Sequence, residues 1–396
     1  MKNRLGPGFL VTAAFIGPGT IVTCAISGLQ FGSSLLWALL LGLLITFLFQ
    51  EMAARLSLSQ STGLSESIIK TTSNDTLKYA FRILILLSIF LGNAAYESGN
   101  LIGASIGIDQ LLGISDQSYS SLIIAGFVLI LLLAGGYKFI ERMMIFMVFL
   151  MGVSFVVLLV VSDSLSCPSN MKGIQFDPST LFSSLALIGT TVVPYNLFLH
   201  SKSIQSKWGS KADLKTVRID LLISIIIGGL ISSSILLVFA STSQGLISID
   251  NLSDMTIGLE NVFGYWAKYL VSVGIFCAGF TSSLTAPLAA AYALTGLFNL
   301  DERQKETFEK GIIIAVLLTG VIVGYLGIKP LFIIQLAQFA NGLLLPIIAI
   351  LLIFTLNRLK DTSYKNGIIT NVFSVFIVLF LLILGVRSIL FSIGVW

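Results

Sequence analysis

The stretch Ile16-Gly17-Pro18-Gly19-Thr20 interrupts an apolar segment that is otherwise long enough to cross a membrane. Pro18 lacks an amide hydrogen and crowds the preceding turn, while Gly17 and Gly19 have no side chain that would hold a helix together. The helix is therefore predicted to open here. Free backbone groups at membrane depth require protein or a water-filled cavity around them, so the opening indicates a binding site.

A second interruption, Val192-Val193-Pro194-Tyr195-Asn196, follows the apolar run 181–188 and again has a proline at its centre. Two broken helices at matching places in two halves of a chain are typical of secondary transporters with inverted repeats. The alternative is a pair of ordinary proline kinks. Gly-Pro-Gly favours unwinding over bending, so we prefer the broken helices.

The composition predicts an all-α membrane protein that crosses the bilayer many times. Of the 396 residues, 56% are hydrophobic and 11% are charged, and the mean hydropathy is +0.97. The three scattered cysteines indicate neither a disulfide framework nor a metal motif. No nucleophile with a base and no phosphate-binding loop is recognisable, so we expect neither an enzyme nor a cofactor.

With about 20 apolar residues per span, eleven membrane spans are predicted. They cover residues 9–29, 34–57, 78–108, 119–137, 141–162, 180–206, 216–242, 265–295, 310–328, 331–356 and 367–392. Residues 1–162 and 163–356 would form two inverted repeats of five spans, and 357–396 would add the eleventh span. An odd number of spans in each repeat gives the halves opposite orientations, so the two breaks can face each other.

The basic residues predict the orientation in a cell membrane. If the N-terminus is cytoplasmic, all but four of the 23 lysines and arginines lie on the cytoplasmic side, the exceptions being Lys172, Lys268, Lys329 and Arg387. This bias follows the positive-inside rule. We therefore expect a cytoplasmic N-terminus and an extracytoplasmic C-terminus.

Several motifs together resemble the Nramp family, which are proton-coupled importers of manganese, iron and related divalent metals. They are Gly6-Pro7-Gly8-Phe9-Leu10-Val11, Gln30-Phe31-Gly32, Leu35-Leu36-Trp37, Ala53-Ala54-Arg55-Leu56, Asn196-Leu197 and Leu199-His200-Ser201. The resemblance covers nearly the whole chain. It implies a LeuT-like fold of five plus five helices in inverted repeats, with the first and sixth spans unwound.

The departures from the family fall on the residues that bind metal. The family motif Asp-Pro-Gly-Asn is here Gly17-Pro18-Gly19-Thr20, and Met-Pro-His-Asn is here Val193-Pro194-Tyr195-Asn196. The metal-binding carboxylate and thioether are both missing. An acidic pair of the third span aligns with Glu97 and Asn100, so one carboxylate remains.

The altered breaks predict that a small anion is the substrate. The expected binding residues supply hydroxyls, amides and freed backbone but no charge; they are Gly17, Gly19, Thr20, Val193, Tyr195, Asn196 and Gln338. A dication without charged ligands is costly in a low-dielectric pocket, whereas half-helix N-termini favour anions. Bicarbonate is our first expectation, because the site is compact and has no lysine or arginine at mid-membrane.

Sodium symport is the expected coupling, with protons as the alternative, because bicarbonate carried with a proton amounts to carbonic acid. Candidates for the coupling ion or the proton pathway are Glu97, Asn100, His200, Thr281, Ser282 and Thr285. Two other functions stay open: a divalent metal transporter for magnesium or manganese with an atypical site, and a transport-incompetent sensor. Membrane lipid is an expected partner and nucleic acid is not. A monomer is compatible with the sequence, which does not set the oligomeric state.

Overall fold

A computed structural model describes residues 6–114, 117–161, 178–209, 213–242, 249, 252–326, 330–359 and 361–392; within these ranges, the side chains of 117–118, 178, 330–331, 333–344 and 384–392 are not described. All regular structure in the described ranges is helical. The α-helices are α1 (Pro7–Phe15), α2 (Pro18–Phe31), α3 (Leu36–Gln60), α4 (Leu64–Thr71), α5 (Asp75–Leu112), α6 (Gln117–Ala134), α7 (Tyr137–Val161), α8 (Pro178–Thr191), α9 (Pro194–Lys207), α10 (Leu214–Ala240), α11 (Leu252–Phe263), α12 (Tyr265–Thr295), α13 (Glu302–Tyr325), α14 (Pro330–Asn357) and α15 (Ile368–Ser392).

Both predicted breaks are present. The first separates α1 from α2 at Ile16 and Gly17, and the second separates α8 from α9 at Val192 and Val193. In each case a proline occupies the first position of the following helix, where its missing amide hydrogen costs no hydrogen bond. Local chemistry therefore explains where each helix stops and restarts.

Each predicted span coincides with one helix or with one of the two interrupted pairs. By length and apolar composition, seven helical stretches of the described residues are able to cross a membrane, and three shorter apolar helices accompany them. The number of crossings, the division into repeats and the orientation stay predictions.

The contact between α5 and α12 is the most extensive helix–helix contact in the described part of the chain. Glycines bring the two backbones together. A methyl group at Gly107 would lie 2.4 Å from the amide nitrogen of Phe276, and one at Gly279 would lie 2.3 Å from the amide nitrogen of Ala104. Because α5 carries Glu97 and α12 carries Thr281, this crossing sets the distance between two groups of candidate residues.

The amino-terminal end of α1 is fastened to α10 by a buried carboxylate. Asp220 accepts hydrogen bonds from the amides of Gly6 and Gly8, both at 2.7 Å. The ion pair between Lys207 and Glu141, at 2.9 Å, lies directly over Gly6. The amides of Gly6 and Gly8, which would otherwise lack partners at the helix start, are therefore hydrogen-bonded. These bonds fix the position of the first turn of α1 against α10.

Asp220→Asn is expected to lower the stability of the fold by about 2 kcal/mol, because one charge-assisted hydrogen bond to a helix amide is lost. The measurement is the thermal unfolding temperature of the purified protein in detergent. Asp213→Asn is the matched control, since Asp213 precedes the same helix, is exposed and forms no side-chain cap. Equal unfolding temperatures for the two variants would contradict the role of Asp220.

Candidate functional site

The last turn of α1 ends in carbonyl groups that side chains from the second half of the chain cover. Tyr195 Oη donates to the carbonyl oxygen of Ala14 at 3.2 Å, and Asn196 Nδ2 donates to that of Val11 at 3.3 Å. Both donors are in the first turn of α9. The structure thus brings the predicted residues of the second break onto the first break.

Two hydroxyls of α12 approach the same turn. Thr281 Oγ1 lies 3.2 Å from the carbonyl oxygen of Ala13, and Ser282 Oγ lies 3.4 Å from it. Thr281 also bonds to carbonyls of its own helix. Within the described residues, the one hydrogen bond of the Thr285 hydroxyl goes to the carbonyl of Ser282 in its own helix, at 3.2 Å. Of the three predicted hydroxyls of α12, two therefore face the break.

Thr20 links the two breaks. Its hydroxyl donates to the carbonyl oxygen of Phe15 across the opened turn and lies 2.7 Å from the hydroxyl of Thr190 in α8. Gly17 and Gly19 are partly exposed, whereas Thr20, whose hydroxyl contacts α8, is buried. The accessible surface of the first break is thus glycine backbone.

Glu97 lies in the middle of α5 and is fully buried. Within the described part of the chain, neither carboxylate oxygen has a hydrogen-bond partner at normal distance and angle; Asn100 and Ser283 are the side chains that interact with it as hydrogen-bonding groups, and it also interacts electrostatically with Tyr195. One turn further along α5, Asn100 Oδ1 lies 3.6 Å from where a methyl group on Gly17 would lie. A carboxylate therefore belongs to the surroundings of the break, although the break residues themselves carry no charge.

The remaining predicted residues are placed differently. His200 is buried on α9, two turns beyond the start of that helix; among the described residues, neither ring nitrogen has a hydrogen-bond partner of normal geometry, and the backbone of Gln50 is the group that interacts with the ring. Val193 is buried and extended, with an apolar side chain that offers no ligand. Gln338 falls within α14, and its side chain lies outside the described ones.

The hydrogen-bond directions decide what the site offers to a ligand. Thr20, Tyr195 and Asn196 each donate to an α1 carbonyl. Among the described side chains, the buried atoms near the break for which no partner is found are mostly acceptors, namely both oxygens of Glu97 and Oδ1 of Asn196, with Nδ2 of Asn100 as a donor. Because buried polar atoms are normally paired, these atoms indicate a place for an ion or water. Among the described residues, no group of three His, Cys, Asp or Glu side chains is close enough to hold a metal ion.

Thr190 is the site residue that our sequence reasoning did not include. It stands two residues before the second break, in the pair Thr190-Thr191. The symmetry argument could have found it, since a polar residue next to one break is a candidate partner for the other.

Two helices broken at prolines, with the side chains of one break covering the carbonyls of the other, define a secondary transporter with a LeuT-like fold. A solved manganese transporter of Eremococcus coleocola superposes with a TM-score of 0.79 at 23% identity, covering 98% of this chain and 86% of that one. A nucleobase-cation-symport-1 family transporter superposes with a TM-score of 0.56 at 19% identity, covering 92% and 82%.

The family model "Natural resistance-associated macrophage protein-like" matches residues 8–391, so the chain belongs to the Nramp family. A divalent metal cation transporter MntH from Bradyrhizobium diazoefficiens is 28% identical over 348 residues, covering 83% of this chain and 76% of the relative. The MntH of a Nostoc species is 28% identical over 391 residues, covering 92% and 86%. Members of this family are transporters and not enzymes, as the sequence predicted.

Proposed function

We propose that this chain is a secondary transporter that carries a divalent metal cation, magnesium or manganese, between its two broken helices. The observation that carries the proposal is a set of buried oxygens around the first break for which no hydrogen-bond partner is found among the described side chains, above all the carboxylate of Glu97. Magnesium and manganese prefer oxygen ligands, and magnesium retains several waters. A hydrated ion bound by one carboxylate, amide oxygens and glycine backbone meets these requirements.

The directions of the hydrogen bonds favour a cation over an anion. For an anion to use the hydroxyl and amide donors predicted for it, Thr20, Tyr195 or Asn196 would have to turn its donor away from an α1 carbonyl. The carbonyl would then lose its partner, at a cost of about 1–3 kcal/mol each. A cation needs only lone pairs, such as those of Glu97 and of Oδ1 of Asn196, for which no partner is found among the described side chains.

The relatives support the same conclusion, since those compared are named divalent metal cation transporters. Neither they nor the solved structures support bicarbonate or sodium symport. Metal transport, the alternative in our sequence analysis, is therefore preferred to the anion that the sequence led us to expect first.

Bicarbonate stays the second candidate because of one specific observation. Gly17 and Val193 supply neither carboxylate nor thioether to the site, and α2 and α9 both begin without a side-chain cap. Uncapped helix starts favour anions. With this cargo, sodium would be the coupling ion, near the hydroxyls of Thr281 and Ser282. With a metal cargo, the proton coupling implied by the family resemblance is the proposal, with Glu97 and His200 as candidate carriers.

Uptake into proteoliposomes separates these candidates. Manganese, magnesium and labelled bicarbonate are offered singly, each with and without an inward proton gradient and with and without a sodium gradient. We expect metal uptake that the proton gradient accelerates. Sodium-dependent bicarbonate uptake without metal uptake would replace the proposal with the second candidate. No flux of any of the three would favour the sensor.

A further inference from the structure

The hydroxyl of Thr190 belongs to the second half of the chain and bonds to a side chain of the first break. Thr190 lies in the last turn of α8, is 4% exposed, and its Oγ1 is 2.7 Å from Oγ1 of Thr20. No other side-chain hydrogen bond of Thr190 is found in the described part of the chain. Its neighbour Thr191 bonds to its own helix, at the carbonyl of Ile188.

The direction of the Thr20–Thr190 hydrogen bond follows from the number of hydrogens that the two hydroxyl groups can donate. A hydroxyl has one hydrogen and two lone pairs, and Thr20 gives its hydrogen to the carbonyl of Phe15. The hydrogen between the two threonines must therefore come from Thr190. Thr190 is left with lone pairs and no hydrogen, so it presents an acceptor at a buried place between the breaks.

We infer that Thr190 is a specificity-determining residue that gives the cargo an oxygen ligand from the second half of the chain. This inference rests on the proposed transport of a divalent cation. A hydroxyl oxygen is a hard ligand that suits magnesium and manganese and disfavours thiophilic metals. The oxygens of Glu97 and Asn196 lie on α5 and α9, so a ligand on α8 adds a third helix to the site.

The competing explanation is that the hydrogen bond between Thr20 and Thr190 has only a structural role. Loss of a purely structural hydrogen bond would change the stability of the protein but not its relative affinities for the metals. The test therefore measures metal preference and thermal stability together, on the full-length protein.

The experiment compares Thr190→Val, Thr190→Ser and Thr190→Cys with Thr191→Val, a matched control on the adjacent residue. Binding of magnesium, manganese and zinc is measured by calorimetry, and uptake is measured in liposomes. We expect Thr190→Val to weaken magnesium and manganese binding about tenfold, as for loss of one interaction with a charged group. Thr190→Ser should restore binding, and Thr190→Cys should shift preference toward zinc, because thiolates select it.

The outcomes separate the two proposals. If the unmodified protein binds magnesium or manganese and Thr190→Val binds them equally well, the inference is overturned and the proposed function stands. A shift in stability without a shift in metal preference also overturns it. If the unmodified protein binds none of the three metals but transports bicarbonate, the proposed function fails, and the inference fails with it.

Discussion

Glu97→Gln is expected to abolish metal uptake, with a loss of about a hundredfold, while the protein remains folded and as stable as before or more stable. The carboxylate is fully buried, and no described side chain forms a hydrogen bond of normal geometry with it. Without a cation beside it, such a charge destabilises the fold, and glutamine of the same shape removes the charge. For a bound dication, the same charge supplies attraction in a low-dielectric site, which glutamine cannot replace. Uptake in liposomes and the thermal unfolding temperature are the two measurements.

The matched control for this variant is Glu306→Gln, which removes a carboxylate from the exposed first turns of α13. It should leave uptake unchanged. The combination of lost uptake and retained stability is specific to a functional carboxylate. Wild-type metal uptake by Glu97→Gln would contradict the proposed role, and unchanged bicarbonate uptake would support the second candidate.

Gly107→Ala is expected to destabilise the protein by about 1–3 kcal/mol and to reduce uptake, because the added methyl group has no space. It would lie 2.4 Å from the amide nitrogen of Phe276 and 2.7 Å from the carbonyl oxygen of Ser272. Both are backbone atoms, so no side chain can move aside. The helices α5 and α12 must separate, which would also move Glu97 away from Ser283 of α12.

Gly92→Ala is the control on the same helix, since no atom lies within 4 Å of the position its methyl group would take. Alanine in a helix is favoured over glycine by about 0.5–1 kcal/mol, so this variant should be as stable as the parent or slightly more. Thermal unfolding and uptake again provide the measurements. Equal behaviour of the two glycine variants would show that the α5–α12 contact tolerates expansion.

The charge of the site marks the main difference between the sequence analysis and the structure. Glu97 was predicted to take part in coupling, and the break residues were considered alone, so the site appeared neutral. The structure brings α5 against the first break, so that Glu97 interacts with Tyr195 and Asn100 approaches Gly17. Proximity between residues so far apart in the chain depends on helix packing, and the close approach at Gly107 and Gly279 could not be read from the sequence.

The second difference between the sequence analysis and the structure concerns the acceptors of the predicted hydrogen-bond donors. Thr20, Tyr195 and Asn196 were predicted to donate to an anion, and all three donate instead to carbonyls of α1. A sequence shows that a hydroxyl can donate or accept, but not which carbonyl lies opposite it. Thr190 was absent from the predicted site for the same reason, since the sequence does not show that its hydroxyl lies opposite that of Thr20.

The sequence by itself determined the all-helical membrane class, the family and the two places where helices break, because proline and glycine act on their own turn and apolar composition acts on every span. Tertiary structure alone decided which side chains cover the opened turn, which oxygens are left without partners, and that Glu97 shares their surroundings. These depend on how helices pack and on where each hydrogen is donated, and neither is encoded in any single stretch of the chain.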